Sequence, residues 1–370
     1  MTTRLYKNHG KAVGYWEISI TDQAELKITH ARSLDGKPVT RIHAVKPKNV
    51  GRSNETTPSQ QAELEMASRI RKQLDRGYLR DEISVTAQGS ATNALGLLLP
   101  VLATVYEKIK QTAICWVEAC AQPKLNGNRA LFAGGVLYSR GGKEFNLPHI
   151  VNAIEEAGLS GLHLDGEIYL HGMPLQEIRG LCSKLTPESE QLEYHIYDIV
   201  DVDSSFFRRF RQCKLLHEAQ LPPSGPLQIV ETIPVSSHTE LIALVHGWVR
   251  KGYEGGMLRF GQDGYETGKR SRKLLKLKTY TDAEAEVIGF ERRSDNIIAG
   301  KEPLIDFVWI CKNPFGEGQF AAAAAGNWQE VHDQWPTAKD QIGRQLNFKY
   351  FELSNDRIPQ QPIALDWRDE

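Results

Sequence analysis

The 370-residue chain has little cysteine, no long apolar run and almost no net charge. Its five cysteines, Cys115, Cys120, Cys182, Cys213 and Cys311, are scattered and odd in number, and no two form a Cys-x-x-Cys pair. That leaves no nucleus for a zinc or redox site, and a reduced, cytosolic setting is expected. The most apolar stretch, Leu95 to Val105, is too short to span a bilayer, and Met1 to Lys7 lack the apolar core of a signal peptide. No membrane role is expected. A formal charge of -1 excludes a uniformly basic nucleic-acid binder. Internal repeats and long low-complexity tracts are absent too.

What remains is an ordinary globular composition, 41% hydrophobic and 25% charged, with room for two or three domains. The charge is unevenly spread: residues 1–80 hold roughly 15 Lys and Arg against roughly 8 Asp and Glu, which suggests a polyanion partner. Short apolar runs up to about residue 50, with turn candidates at Thr21-Asp22 and Asp35-Gly36, predict a small antiparallel sheet. Thr57-Pro-Ser-Gln60 is a capping box, followed by Ala62, Met66, Ile70 and Leu74 at helical steps and closed by Gly77. Together they make a basic sheet-plus-helix module, followed by a linker over residues 81–110. From Gln122 short strands alternate with helices, predicting an α+β centre with a largely antiparallel sheet. After Asp282 only strands are expected, a length that suits a five-stranded barrel. The alanine run Ala321 to Ala325 fits helix or strand.

The chemistry-bearing pieces begin at Gln122-Pro-Lys-Leu-Asn-Gly-Asn-Arg129. Lys124 is a nucleophile once deprotonated, Gly127 permits close backbone approach, and Arg129 offers a fork of donors to phosphate. Ser139-Arg140-Gly141 follows the predicted hairpin at Gly134-Gly135. Asp165-Gly166-Glu167 sets two carboxylates on one face of an apolar strand, where burial demands a partner. Tyr197 could stack on a base, Glu254-Gly255 supplies another carboxylate beside flexible backbone, and Lys276 and Lys278 share a strand face suited to one phosphate.

In order and spacing these six pieces resemble the covalent nucleotidyltransferases, and among them the ATP-dependent DNA ligases, most closely the compact bacteriophage enzymes. The likeness covers roughly residues 98–370. It implies an ATP-grasp-like nucleotidyltransferase core over residues 111–282 and an OB-fold barrel over 283–370. Residues 1–80 resemble a WGR-type nucleic-acid module. The resemblance implies that Lys124 carries AMP, that Glu167 and Glu254 hold Mg²⁺, and that Lys276 and Lys278 neutralise the α-phosphate. Gln122, Arg129 and Tyr197 would bind ATP, with Tyr197 on adenine, and Ser139, Arg140 and Arg129 would contact DNA phosphate. The implied partner is nicked duplex DNA, and the implied protein a monomer in the cytoplasm of a bacterial or phage-infected cell.

Two positions depart from the family. Asn126 stands where DNA ligases carry aspartate, so a counter-charge for the lysine ammonium is missing. In the last motif, Arg357 and Arg368 match only in part the basic residues that orient pyrophosphate. An RNA ligase or a capping-type guanylyltransferase shares Lys124 and both glutamates. A nucleic-acid-binding protein with a decayed centre would have lost them.

Overall fold

The turn and cap signals place the first elements. The computed structural model describes residues 2–9, 12–87, 92, 96–220, 225–298 and 302–368. Strands β1 (Thr2–Asn8), β2 (Val13–Ile20), β3 (Leu26–Ala31) and β4 (Val39–His43) pair in sequence as an antiparallel meander. The capping box forms reciprocally: Thr57 Oγ1 accepts from the Gln60 amide at 3.3 Å, and Gln60 Oε1 accepts from the Thr57 amide at 3.0 Å. Helix α1 (Pro58–Leu74) follows and buries Ala62 and Met66. Next comes the short helix α2 (Glu82–Ala87). Of the predicted linker, residues 88–91 and 93–95 lie outside the described residues.

Thereafter the elements are β5 (Leu102–Val105), β6 (Ala119–Lys124), β7 (Asn128–Ala133), β8 (Val136–Ser139), α3 (Pro148–Glu156), β9 (Leu164–Tyr169) and α4 (Leu175–Ser183). They continue with β10 (Glu193–Ile199), α5 (Phe206–Gln220), β11 (Leu227–Ile229), β12 (Ile233–Pro234), α6 (His238–Arg250), β13 (Gly255–Phe260) and β14 (Arg270–Lys278). The chain closes with β15 (Thr281–Ile298), β16 (Leu304–Lys312), β17 (Gln319–Ala323), α7 (Trp328–Gln334), β18 (Gln345–Tyr350) and β19 (Ile363–Trp367). The alanine run therefore enters a strand as far as Ala323.

The chain divides into two compact units. The central one comprises residues 74–77 and 88–279, and the other residues 1–73, 78–87 and 280–370. The central unit holds two five-stranded sheets, ordered β12-β6-β13-β14-β5 and β11-β10-β9-β7-β8. Both are mainly antiparallel, as expected, with parallel pairing at β14–β5 and β10–β11. The β7–β8 hairpin turns through Gly134 and Gly135 at φ of 58° and 81°, conformations that favour glycine. Helices α2, α4, α5 and α7 went unanticipated, α2 in the expected linker and α7 in a tail expected to hold strands only. On α5, Arg209 occupies the buried stripe between Phe206 and Cys213, so the apolar periodicity is broken by a charge.

In the other unit β15 pairs with both β16 and β18, and β16-β17-β19-β18 complete a ring of pairings around Val287, Phe307, Trp309 and Phe348. The far half of the long β15 pairs with β4, from Asp295 opposite Ile42 to Ile298 opposite Val39. Strands from both ends of the chain thus share one nine-stranded sheet.

Candidate active site

Register brings the dispersed pieces together. Gly255 on β13 lies opposite Lys124 on β6 and Lys278 on β14, and Met257 lies opposite Gln122 and Lys276. Cross-strand partners share a face, so both lysine motifs project beside Gln122. In the second sheet Glu167 on β9 lies opposite Arg129 on β7 and His195 on β10. Gln122, Lys124, Arg129, Glu167, Tyr197 and Lys276 line one cleft of about 250 Å³.

The charges in the cleft are coupled. Glu254 is buried and is contacted by the ammonium of Lys124 on one carboxylate oxygen and by that of Lys278 on the other, the latter at 2.8 Å. Glu167 is half-buried and forms no salt bridge among the described residues. Burial, opposed by Lys124 and Arg129 and assisted by Glu254 and Asp165, pushes its carboxyl up to about 7. Lys276 is shifted down, first by burial and then by Lys278, Lys124 and Arg270, so its proton is held less tightly than on a free lysine. Tyr197 is pushed well above the usual phenol range by burial and stays neutral.

Arg129 is held in place by other groups. Its guanidinium grips Asp165 with Nε at 3.0 Å and Nη2 at 2.5 Å, and Nη1 donates to the Val101 carbonyl at 2.6 Å. Asp165 is fully buried and also accepts from the Tyr265 hydroxyl at 2.6 Å. The strand carboxylate that demanded a partner therefore has two, and Asp165 braces Arg129 and does not open to the cleft.

A second buried network was missed in the sequence. Arg259 on β13 lines the cleft, with its guanidinium 5.5 Å from the Tyr197 ring centroid. It donates from Nη1 to Asp198 at 2.7 Å and from Nε to Gln122 Oε1 at 2.8 Å. Arg209 donates to the other oxygen of Asp198 at 2.7 Å. Gln122 then donates to Thr232 Oγ1 at 2.8 Å, which fixes its amide. One signal was available: a basic residue inside the apolar run Gly255 to Phe260 needs a buried acid.

Gly127 turns the chain after Lys124. A Cβ there would drive into the Ile168 carbonyl oxygen and lie 2.8 Å from Glu167 Cγ. Gly127→Ala is expected to destabilise the protein by about 1–3 kcal/mol, because backbone on β9 cannot retreat as a side chain can. Denaturant unfolding measures this, and an unchanged midpoint would mean the loop shifts freely.

The remaining expected residues sit elsewhere. Asn126 is half-buried in the loop between β6 and β7. The Ser139 hydroxyl oxygen accepts from the Lys143 amide at 3.1 Å, closing the turn that presents half-buried Arg140. Arg357 and Arg368 belong to the other unit, where Arg357 is exposed at φ 57° and Arg368 pairs with Glu284. Among the described residues no three His, Cys, Asp or Glu side chains are grouped to hold a metal, and no helix is long and apolar enough to cross a membrane.

Comparison with known proteins agrees with this geometry. A "DNA ligase" of African swine fever virus is 28% identical over 345 residues, covering 87% of this chain and 78% of the viral one. A "DNA ligase" of Archaeoglobus fulgidus is 25% identical over 209 residues, covering 52% of this chain and 38% of its own length. A structure from a study of Lig E DNA ligases aligns with TM-score 0.58 at 22% identity, covering 73% of this chain and 99% of that one, and so shares the fold. Residues 100–278, which contain every cleft residue named above, match the ATP dependent DNA ligase domain. The likeness to ATP dependent DNA ligases is thus carried by the central part of the chain, residues 100–278.

Proposed function

We propose that the protein seals 5′-phosphate/3′-hydroxyl nicks in duplex DNA through a covalent lysine-AMP. The observation that carries this is the cleft itself, where Lys124 meets Glu254 beside Glu167, Tyr197 and Lys276. Nζ of Lys124, once deprotonated, attacks the α-phosphorus of ATP; a P–N bond forms and pyrophosphate leaves. An oxygen of the DNA 5′-phosphate next attacks the same phosphorus, breaking the P–N bond and returning the amine. Finally the 3′-hydroxyl loses its proton as it attacks the 5′-phosphorus, and AMP departs.

The side chains have matching tasks in this reading. Tyr197 stacks on adenine with Arg259 and Arg129 near its ring, 5.5 and 5.7 Å from the centroid. Lys276 and Lys278 neutralise the α-phosphate, and Ser139 and Arg140 contact DNA phosphate. Glu167 and Glu254 suit Mg²⁺ because their carboxylates offer the hard oxygen ligands that this ion takes. When bound, the ion neutralises phosphate oxygens.

Outside the cleft the assignments follow the sequence. Residues 1–80 form a WGR-like DNA-associated module, 81–110 a linker, 111–282 the adenylyltransferase domain and 283–370 an OB-fold domain, in which Arg357 and Arg368 orient pyrophosphate. His43, pushed down to about 4 by burial and by Arg69, Arg41 and Arg293, reports the density of positive charge beside the N-terminal sheet. The protein acts as a monomer in the cytoplasm of a bacterial or phage-infected cell.

The test is incubation with labelled ATP and Mg²⁺, then with nicked DNA or nicked RNA. Label on protein followed by joined DNA is the expected result. Labelling by GTP only, or sealing of RNA only, would replace the reading by a capping-type enzyme or an RNA ligase, and no label at all would end it.

The raised Glu167 gives a linked prediction. Its folded carboxyl, at about 7, binds a proton more tightly than an unfolded glutamate near 4.5. The cost of burying it is absent below pH 4.5, grows as pH rises to 7 and is complete above. Glu167→Gln should therefore stabilise the metal-free protein by roughly 1–3 kcal/mol at pH 8 and by nothing at pH 4, while lowering AMP labelling by about 10²-fold. Thermal unfolding at the two pH values checks the sign.

A further inference from the structure

Outside the six motifs, a run of aromatic rings links the two sheets of the central unit beside the cleft. Tyr169 ends β9 two residues past Glu167, and the period of two puts both side chains on one face of the strand. Its hydroxyl lies 2.8 Å from Nδ1 of His171, in the turn that follows β9, and the two are hydrogen-bonded. The His171 ring in turn lies 4.7 Å from the Tyr253 ring, centroid to centroid. A Cβ on Gly252 would stand 3.8 Å from Cε1 and Nε2 of the same imidazole, so the chain just before Tyr253 is also near it. Tyr253 immediately precedes Glu254 and packs against the apolar cores of both sheets. On its other side Tyr169 meets the His195 ring edge-on at 5.2 Å, and Glu193 holds His195 Nε2 at 2.7 Å.

We propose that His171 is a positioning residue: tied to Tyr169 from one sheet and to Tyr253 from the other, it sets the spacing of Glu167 and Glu254 and with it the affinity of the cleft for a divalent cation. The proposal rests on the ligase reading, in which these two glutamates hold Mg²⁺, and adds to it a residue outside the six motifs. Both carboxylates reach one place. Lys124 contacts Glu254, and a Cβ at Gly127, three residues on, would lie 2.8 Å from Glu167 Cγ. They are carried by different sheets, however: Glu167 sits in the ladder of β9 with β7 and β10, and Glu254 leads into β13. Among the described residues no strand pairing joins those two sheets, so loops and side chains set the gap between the glutamates. Arg259, reaching from β13 to Asp198, ties the sheets at the Tyr197 end of the cleft. The His171 contacts tie them beside the glutamates. Mg²⁺ takes its oxygen ligands at about 2.0–2.1 Å in strict geometry, so a small splay of the sheets weakens binding.

Direct cation binding tests this without relying on turnover. Mn²⁺ is titrated into the full chain, and free Mn²⁺ is read by electron paramagnetic resonance for the natural protein, His171→Ala, Tyr169→Phe and His238→Ala. His171 is exposed, so its replacement is compatible with folding, and Tyr169→Phe removes only the hydroxyl. Both should weaken Mn²⁺ binding by roughly three- to tenfold. His238→Ala is the control. Its Nδ1 makes the same kind of bond, to the Tyr106 hydroxyl at 2.9 Å, and neither residue lines the cleft, so the affinity should stay natural. In AMP labelling, the Mg²⁺ concentration for half-maximal rate should rise by the same factor in His171→Ala, while the rate at saturating Mg²⁺ falls by less than about twofold. Natural Mn²⁺ affinity in His171→Ala and Tyr169→Phe overturns the proposal, and so does an equal loss in His238→Ala. A lowered melting midpoint with natural affinity also overturns it, by reducing the contact to a structural one. Failure of the ligase reading is seen separately, as the natural protein taking no AMP, and the Mn²⁺ comparison still decides the role of His171.

Discussion

Lys124→Ala is expected to carry no AMP after incubation with ATP and Mg²⁺, and its sealing of a simple nick should fall by at least about 10³-fold. The loss is this large because no other group in the cleft can replace the amine. Lys276 and Lys278 come from β14 and Lys278 is held by Glu254, while Arg129 and Arg259 are guanidinium groups locked on buried aspartates and do not deprotonate. Lys124→Arg should fail for the same reason, although it keeps the charge beside Glu254. The two losses separate nucleophile from counter-ion. A nick that already bears AMP on its 5′-phosphate should still be joined by Lys124→Ala at a rate well above background, because the last transfer needs positioning and charge neutralisation and not the amine. Phosphoryl label remaining on Lys124→Ala would place the nucleophile elsewhere.

Asp198→Ala should be the most destabilising single change in the central unit. Asp198 is wholly buried and receives Arg209 from α5 on one oxygen and Arg259 from β13 on the other, so a helix and both sheets meet on one carboxylate. Its removal strands two buried guanidinium groups, a change that costs about 3–5 kcal/mol. For a unit of this size the melting midpoint should drop by about 6–20 °C. Asp198→Asn should fall between, since it keeps an acceptor without the charge. Thermal unfolding followed by circular dichroism measures the drop, and a midpoint within a degree or two of the natural protein would show that water already solvates the arginines. In the surviving folded fraction the KM for ATP should rise, because Arg259 would no longer hold Gln122 and brace the ring of Tyr197.

Much of this was written in local sequence. Capping at Thr57 and Gln60, the glycine turn at Gly134-Gly135, and the strands around Glu167, Glu254 and Lys276 depend on neighbours within a few residues, and the structure places them where those signals fall. Helix α5 shows the opposite case. Its buried stripe includes Arg209, and a charge on the inner face cannot be told from one on the outer face until its acid is known. The same holds for Asp165, which reads as a candidate cleft carboxylate and proves to be the brace of Arg129.

By itself, then, the sequence named the candidate groups: one lysine before a glycine, two glutamates, a tyrosine and a pair of strand lysines, in an order that resembles the ATP-dependent DNA ligases. It could do so because reactive groups are named by residue type and short spacing. Only the tertiary structure decided who neutralises whom. Glu254 lies 130 positions from Lys124, and Arg259 lies 61 from Asp198. Strand register sets those pairings, and register depends on the packing of two whole sheets, which no local stretch encodes.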